Sequence, residues 1–204
     1  MRNNASYTPS DNSLTGFASN VTGASWVIAV AGPADGLGHL VTIRNDTAND
    51  HSGKTAALVG TDVDGKVLTE TMALPAGSAT TTSTKYFATL TSITPSATIG
   101  ADTMDIGWSD VSVTKTYPVN DRQNTFDMSV AVVVTGTIQY DVEFTFDDPF
   151  SASQSAVWFT NTAYDDNTAN AYFEIKFVIR AVRIKIDSLT SGATIRVVYL
   201  QGNP

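Results

Sequence analysis

From position 126 to position 146 the chain alternates with a period of two. Phe126, Met128, Val130, Val132, Val134, Gly136, Ile138, Tyr140, Val142, Phe144 and Phe146 fall on one side; Asp127, Ser129, Thr135, Thr137, Gln139, Asp141, Glu143 and Thr145 lie between them. Successive side chains of a strand point to opposite faces, so the stripe predicts a sheet with one buried and one wetter side. A two-residue loop at Thr135-Gly136 would set Val134 against Thr137 and Val132 against Gln139, pairing apolar with polar. A three-residue loop sets Val134 against Ile138 and Val132 against Tyr140, and Gly136 suits the positive φ of such loops. The stretch therefore reads as a hairpin. The alternative, a single bent strand, would be far longer than the usual ~5–6 residues.

The same period predicts strands at 24–31, 38–46 (Val41 and Ile43 alternating with Leu40, Thr42 and Arg44), 56–61 and 66–73. Asp64-Gly65 between the last two is a hairpin signal. A Thr-rich run over 79–94 ends at Pro95, and 103–108 alternates in a short strand. Beyond the Asp147-Asp148-Pro149 break lies the short apolar stretch 156–159. Then the phase slips: Phe173, Ile175, Phe177 and Ile179 are apolar at odd positions, Val182, Ile184 and Ile186 at even ones. A one-residue slip would turn the second set outward, so a turn, bend or bulge is expected at Arg180-Ala181. Ser191-Gly192 turns the chain into a last strand, 193–200. Helix-period segments are missing, and the expected class is all-β: two β-sandwich or jelly-roll-like domains, 21–112 and 113–204, divided at the polar stretch 110–124. Residues 1–20 are expected as a polar N-terminal arm, draped over its own domain or a neighbour, with Tyr7, Leu14 and Phe17 as anchors.

Composition narrows the classes of function. Of 204 residues, 42% are hydrophobic and 16% charged, which describes a globular chain. The absence of cysteine excludes disulfides, zinc thiolate sites and cysteine nucleophiles. The start carries no apolar signal core, and the longest apolar run, 26–31, is too short to cross a bilayer. Assembly in the cytoplasm and no membrane partner are expected. The net charge of -8 argues against nucleic acid as a general partner. Lys176, Arg180, Arg183, Lys185 and Arg196 nevertheless make the C-terminal strands basic. They are either the solvated outer faces of strands or a patch that docks on an acidic protein surface, which other copies of this chain could supply.

Residue chemistry offers no enzyme. His39 and His51 lack metal-ligand spacing and are expected as exposed loop histidines. Asp62-Val63-Asp64-Gly65 resembles the front of a calcium loop without its downstream Glu, and Asp-Gly already explains a turn. The pairs Asp147-Asp148 and Asp165-Asp166 sit in solvated turns with nothing forcing convergence. A nucleophile elbow is missing, and Gly36-Leu37-Gly38 does not open a helix. Trp158, Phe159, Tyr164 and Tyr172 could form a sugar-stacking platform, though packing is the commoner fate of aromatics. Catalytic residues, bound metal and cofactor are therefore all expected to be absent.

Several stretches resemble bacteriophage virion proteins, the small all-β structural proteins of heads and tails. They are VTGTIQYDVEFTFDDP at 134–149, IRAVRIKI at 179–186, SGATIRV at 191–197, LTSITP at 90–95 and IGW at 106–108. The resemblance implies a capsid decoration (cement) protein located in the virion, with the major capsid protein or other virion proteins as partners. It further implies a homo-oligomer, a trimer, with contacts through Tyr7, Leu14, Phe17, Arg180, Arg183 and Arg196. A neck or tail component is the alternative of the same class. A carbohydrate- or receptor-binding module using the 164–170 loop is the alternative of another.

Overall fold

The structure is a computed structural model that describes residues 2–120, 127–151 and 155–202; Phe126, at the head of the alternating stripe, lies outside them. The chain is all-β, as the alternation requires. Its strands are β1 (Arg2–Tyr7), β2 (Ser13–Val21), β3 (Gly38–Asn45), β4 (Thr55–Thr61), β5 (Val67–Ala73), β6 (Thr80–Phe87) and β7 (Thr89–Pro95). They continue with β8 (Met104–Val113), β9 (Tyr117–Pro118), β10 (Met128–Thr135), β11 (Ile138–Thr145), β12 (Ala171–Ile175), β13 (Ala181–Leu189) and β14 (Thr194–Gln201). They form two compact units, one of residues 11–112 and one of residues 1–10 with 113–204.

The segment read as one arm is thus two strands with different fates. β1 pairs along its whole length with β14, Tyr7 opposite Ile195. β2 pairs with β8 and buries Phe17 and Ala18. Polar side chains left the segment without an apolar stripe, but backbone pairing needs none: every N–H and C=O can join a ladder whatever the side chain.

In the 11–112 unit, β2 joins the sheet β8–β3–β6, and β5–β4–β7 forms a second sheet. Val41, Ile43, Leu58, Phe87, Leu90, Ile93, Met104 and Ile106 bury between them. The Asp64-Gly65 hairpin forms as expected. Asp62 N–H donates to Lys66 O and Gly65 N–H to Asp62 O, with Gly65 at φ 83°. The expected strand 24–31 does not. There Trp26 is buried while Val27 and Val30 face solvent, and Ala29 and Val30 both donate to the Phe17 carbonyl. Two amides converging on one oxygen cannot extend a ladder.

The 113–202 unit is a sandwich. One sheet is β1–β14–β10–β12; facing it, β11 pairs with β13, which also holds β9. Tyr117 of β9 stacks on Tyr199 of β14 at 4.6 Å, and Tyr140 of β11 meets Phe173 of β12 edge-on at 6.4 Å. β10 and β11 do not pair with each other, so the expected hairpin is replaced by an arch. β10 lies between β12 and β14, and the β11 edge away from β13 is taken by Phe159, Tyr164 and Asn167. With both edges of both strands occupied, no ladder remains between them. The apolar row keeps its phase because both strands face one interior from opposite sides. A second arch, from Leu189 to Thr194, lies against the first, with Thr190 N–H donating to Thr137 O at 2.9 Å.

The phase slip before Ala181 is also a sheet change. β12 ends at Ile175, residues 176–180 cross over, and β13 begins at Ala181 in the opposite sheet. Each strand faces inward with its own parity: odd on β12 and β14, even on β10, β11 and β13.

Burial gives this unit an alkaline limit. It pushes the Tyr140 phenol up to about 12 and raises those of Tyr117 and Tyr199. The folded unit retains protons that an unfolded chain releases near pH ~10. Stability is therefore complete below that pH and is lost as pH rises toward 12. Tyrosinate absorbance rising together with loss of the β circular-dichroism signal is the expected result. Tyrosines that all titrate near 10 in an intact fold would contradict it.

Candidate interaction surface

β11 carries its inward row one residue too far. Phe144 is buried, but Phe146 stands beyond the strand's last residue, Thr145, and is 54% exposed. The Asp147-Asp148-Pro149 break follows at once, with Asp147 N–H on Thr145 Oγ1 and Phe150 N–H on Asp148 Oδ1. The returning chain is pinned by Val157 N–H on Asp147 Oδ2 at 2.8 Å and by reciprocal backbone bonds between Phe159 and Phe144. The 176–180 crossover delivers Phe177 to the same place.

The rings form one cluster. Phe144 meets Phe177 at 5.1 Å, Phe146 at 5.7 Å and Phe159 at 6.2 Å; Phe146 meets Phe159 at 5.8 Å and Phe177 at 6.2 Å. Phe159 is 45% and Phe177 39% exposed, and their chain neighbours Val157 and Val178 are at least half exposed. Contiguous apolar surface of this kind is uncommon away from a contact. Around it stand two ion pairs, Lys176 with Glu174 at 3.0 Å and Arg180 with Asp148 at 3.9 Å. A hydrogen bond to Glu174 raises the Lys176 ammonium.

The residues proposed from sequence do not assemble into one site. Tyr7 is half-buried at the end of β1, and Arg196 is exposed on β14 opposite Ser6 and Val133. Leu14 is half-buried in β2. Phe17 is 0% exposed and packs edge-on against Trp108 at 5.1 Å, so in this fold it is a core residue. Arg180 borders the cluster. Arg183 bonds Glu143 at 2.6 Å and lies 4.1 Å over the Trp158 ring. Lys185 bonds Asp141 and Asp187. The basic strands are thus largely neutralised by cross-strand carboxylates: register places Lys185 opposite Asp141 and Arg183 opposite Glu143.

The four aromatics considered as a platform are likewise dispersed. Tyr164 is buried and donates to Glu174 O, Tyr172 stands on β12, and Trp158 lies under Arg183. Phe159 alone belongs to the cluster. Sequence missed Phe146 and Phe177 because alternation placed both inward. The available signal was the strand break directly after Phe146.

Other chemistry-bearing groups are already engaged. Asp141, Asp165 and Asp166 bring carboxylates within 4.8 Å of one another. Burial pushes the Asp141 carboxyl up, but the Asp166 amide and Lys185 hold it below the usual range; its hydrogen bond raises Asp165. Lys185 therefore supplies the local positive charge. Both histidines are buried, contrary to expectation. His39 Nδ1 lies 2.8 Å from Ser109 O and its Nε2 2.8 Å from Asp35; His51 Nε2 lies 2.8 Å from Asp102. The loops around them fold inward on their own hydrogen bonds, as when Asn45 Nδ2 donates to Asn49 O. A pocket of about 360 Å³ is lined by residues of β5 and β6, among them Glu70, Met72 and Thr82. The Glu70 carboxylate there already accepts from Thr84 and Lys85 N–H.

No family model matches the chain, and no curated protein matches it. Among solved structures, it is similar to the major capsid protein P2 from bacteriophage PM2, 12% identical over 99% of this chain and 97% of that one, with a TM-score of 0.21. At that score the likeness carries no argument about this chain's fold or role.

Proposed function

We propose that this chain is a bacteriophage virion structural protein, of the capsid decoration (cement) type. The observation that carries the reading is the exposed phenylalanine cluster, mounted on a sandwich whose strands are paired and packed. The strand-and-turn resemblance to virion proteins supports it. The role is passive: rigid units bury apolar surface against the major capsid protein and neighbouring copies. Symmetry multiplies the area buried per copy across the shell. The net charge of -8 suits a protein held away from packaged DNA.

Quantitative mass spectrometry of purified virions tests this. Copies comparable with those of the major capsid protein, or a fixed simple fraction of them, are expected. A handful per particle would place the chain in the neck or tail instead, and absence from washed particles would overturn a virion role altogether.

A further inference from the structure

We infer that His39 carries a proton on both ring nitrogens and forms, with the Asp35 carboxylate, a buried latch. The latch holds the 32–37 loop onto β3 and β8 and opens when the second ring proton is lost. It is independent of the proposed virion role, which copy number measures separately.

Hydrogen-bond chemistry is the first argument. A neutral imidazole has one N–H and one lone pair, so it can donate to a single acceptor. Both nitrogens of His39 face acceptors: Nδ1 lies 2.8 Å from Ser109 O of β8, and Nε2 lies 2.8 Å from Asp35 Oδ2. The Ser109 carbonyl has no hydrogen to give. With Nδ1 alone protonated, a lone pair on Nε2 meets the carboxylate; with Nε2 alone protonated, a lone pair on Nδ1 meets the carbonyl. Two ring protons satisfy both contacts. The second belongs on the ring and not on the carboxyl, because Asp35 Oδ1 also accepts from Leu37 N–H at 3.0 Å, a bond that favours the ionised carboxylate.

Burial makes the proton count matter. The His39 and Asp35 side chains are 0% and 4% exposed, so solvent is not at hand to replace a missing donor. Two charges buried this deeply persist only while each answers the other. Asp35 is the charged side chain bonded to the ring; β8 presents a carbonyl, and β6 sets Phe87 opposite His39.

The loop hangs on the same carboxylate. Its backbone takes positive φ at Ala34 (56°) and Gly36 (79°), and Asp35 ties the turn to the Leu37 amide through one oxygen and to His39 through the other. Loss of the second ring proton sets the Nε2 lone pair against Oδ2, which drives Asp35 away and takes the Leu37 bond with it. The latch is therefore closed while that proton is bound and opens as rising pH removes it.

His51 is the internal contrast. Its Nε2 also meets a carboxylate, Asp102 at 2.8 Å, but its Nδ1 lies 3.1 Å from Lys54 Nζ, which is a donor. One proton, on Nε2, satisfies that ring.

NMR of the imidazole nitrogens in the full chain tests this. At neutral pH His39 is expected to show two protonated ring nitrogens and His51 one. As pH is raised, protection of the Leu37 amide, corrected for intrinsic base-catalysed exchange, is expected to fall at least ~tenfold over the range in which His39 loses its second proton. The variant is Asp35→Asn, whose side-chain amide can donate to Nε2 and accept from Leu37 N–H. A neutral ring then suffices, and the pH dependence is expected to vanish, with the mass checked against hydrolysis back to Asp. A lone-pair nitrogen on His39 at neutral pH, Leu37 protection unmoved as the ring titrates, or a doubly protonated ring in the folded variant would overturn the latch. Should the variant fail to fold, the ring signals and amide exchange of the wild type decide by themselves.

Discussion

Replacing Tyr140 by alanine is expected to lower the stability of the 113–202 unit by about 4 kcal/mol, within the ~3–5 kcal/mol typical of deleting a large buried ring. Tyr140 is 0% exposed at the centre of the apolar row, edge-on to Phe173, with its hydroxyl donating to Ala169 O at 2.8 Å. Tyr140 stands on β11, which is held on one edge by β13 and on the other by Phe159, Tyr164 and Asn167, so that strand cannot move to fill the void and the cavity persists. Chemical denaturation reads the loss as a lowered midpoint at unchanged slope. Tyr140→Phe keeps the ring and removes one hydrogen bond, and is expected to cost about 1 kcal/mol. Equal effects from the two variants would show that the hydroxyl, not the ring, holds the core.

Gly136→Val is expected to cost about 3 kcal/mol. Gly136 has φ 81°, a region that a β-branched residue enters only under strain of ~1–3 kcal/mol. An added Cβ would also lie 3.1 Å from the Ala193 Cα of the second arch, which is backbone and cannot swing away. Gly192→Val is the control. It stands at φ 77°, but its Cβ would enter open space, so strain alone is expected to act there. The difference between the two losses reads the packing of one arch on the other. A Gly136 variant no worse than the Gly192 variant would contradict that packing.

The cluster is where sequence reading reached least far. The even row from Met128 to Phe146 is apolar throughout apart from Gly136, and alternation alone reads it as a buried face. For Met128 to Phe144 that reading holds, since each apolar side chain of the row but Val134 is buried. Phe146 carries the same parity and the opposite fate, because it lies past the end of the strand. Alternation specifies a direction; whether anything lies in that direction depends on how far the facing sheet extends. Phe177 failed for a related reason, sitting in a crossover where strand parity no longer applies. Arg180, Arg183 and Lys185 were legible as basic, but not as members of ion pairs. Their partners Asp148, Glu143 and Asp141 lie more than thirty residues away in sequence and meet them only through register.

Periodicity and turn chemistry by themselves determined the all-β class, the β4–β5 hairpin, the inward faces of β10 to β14 and the break before Ala181. All of these are local, because a period of two and an Asp-Gly turn are properties of neighbouring residues. Tertiary structure alone decided that Thr135 to Thr137 is an arch and not a hairpin. It also decided that the N-terminal twenty residues divide between two units, and that Phe17 is core while Phe146 is surface. Hairpin and arch leave the same alternation in the sequence. They differ only in which strands occupy each other's edges, and those hydrogen bonds are made by backbone that every residue shares.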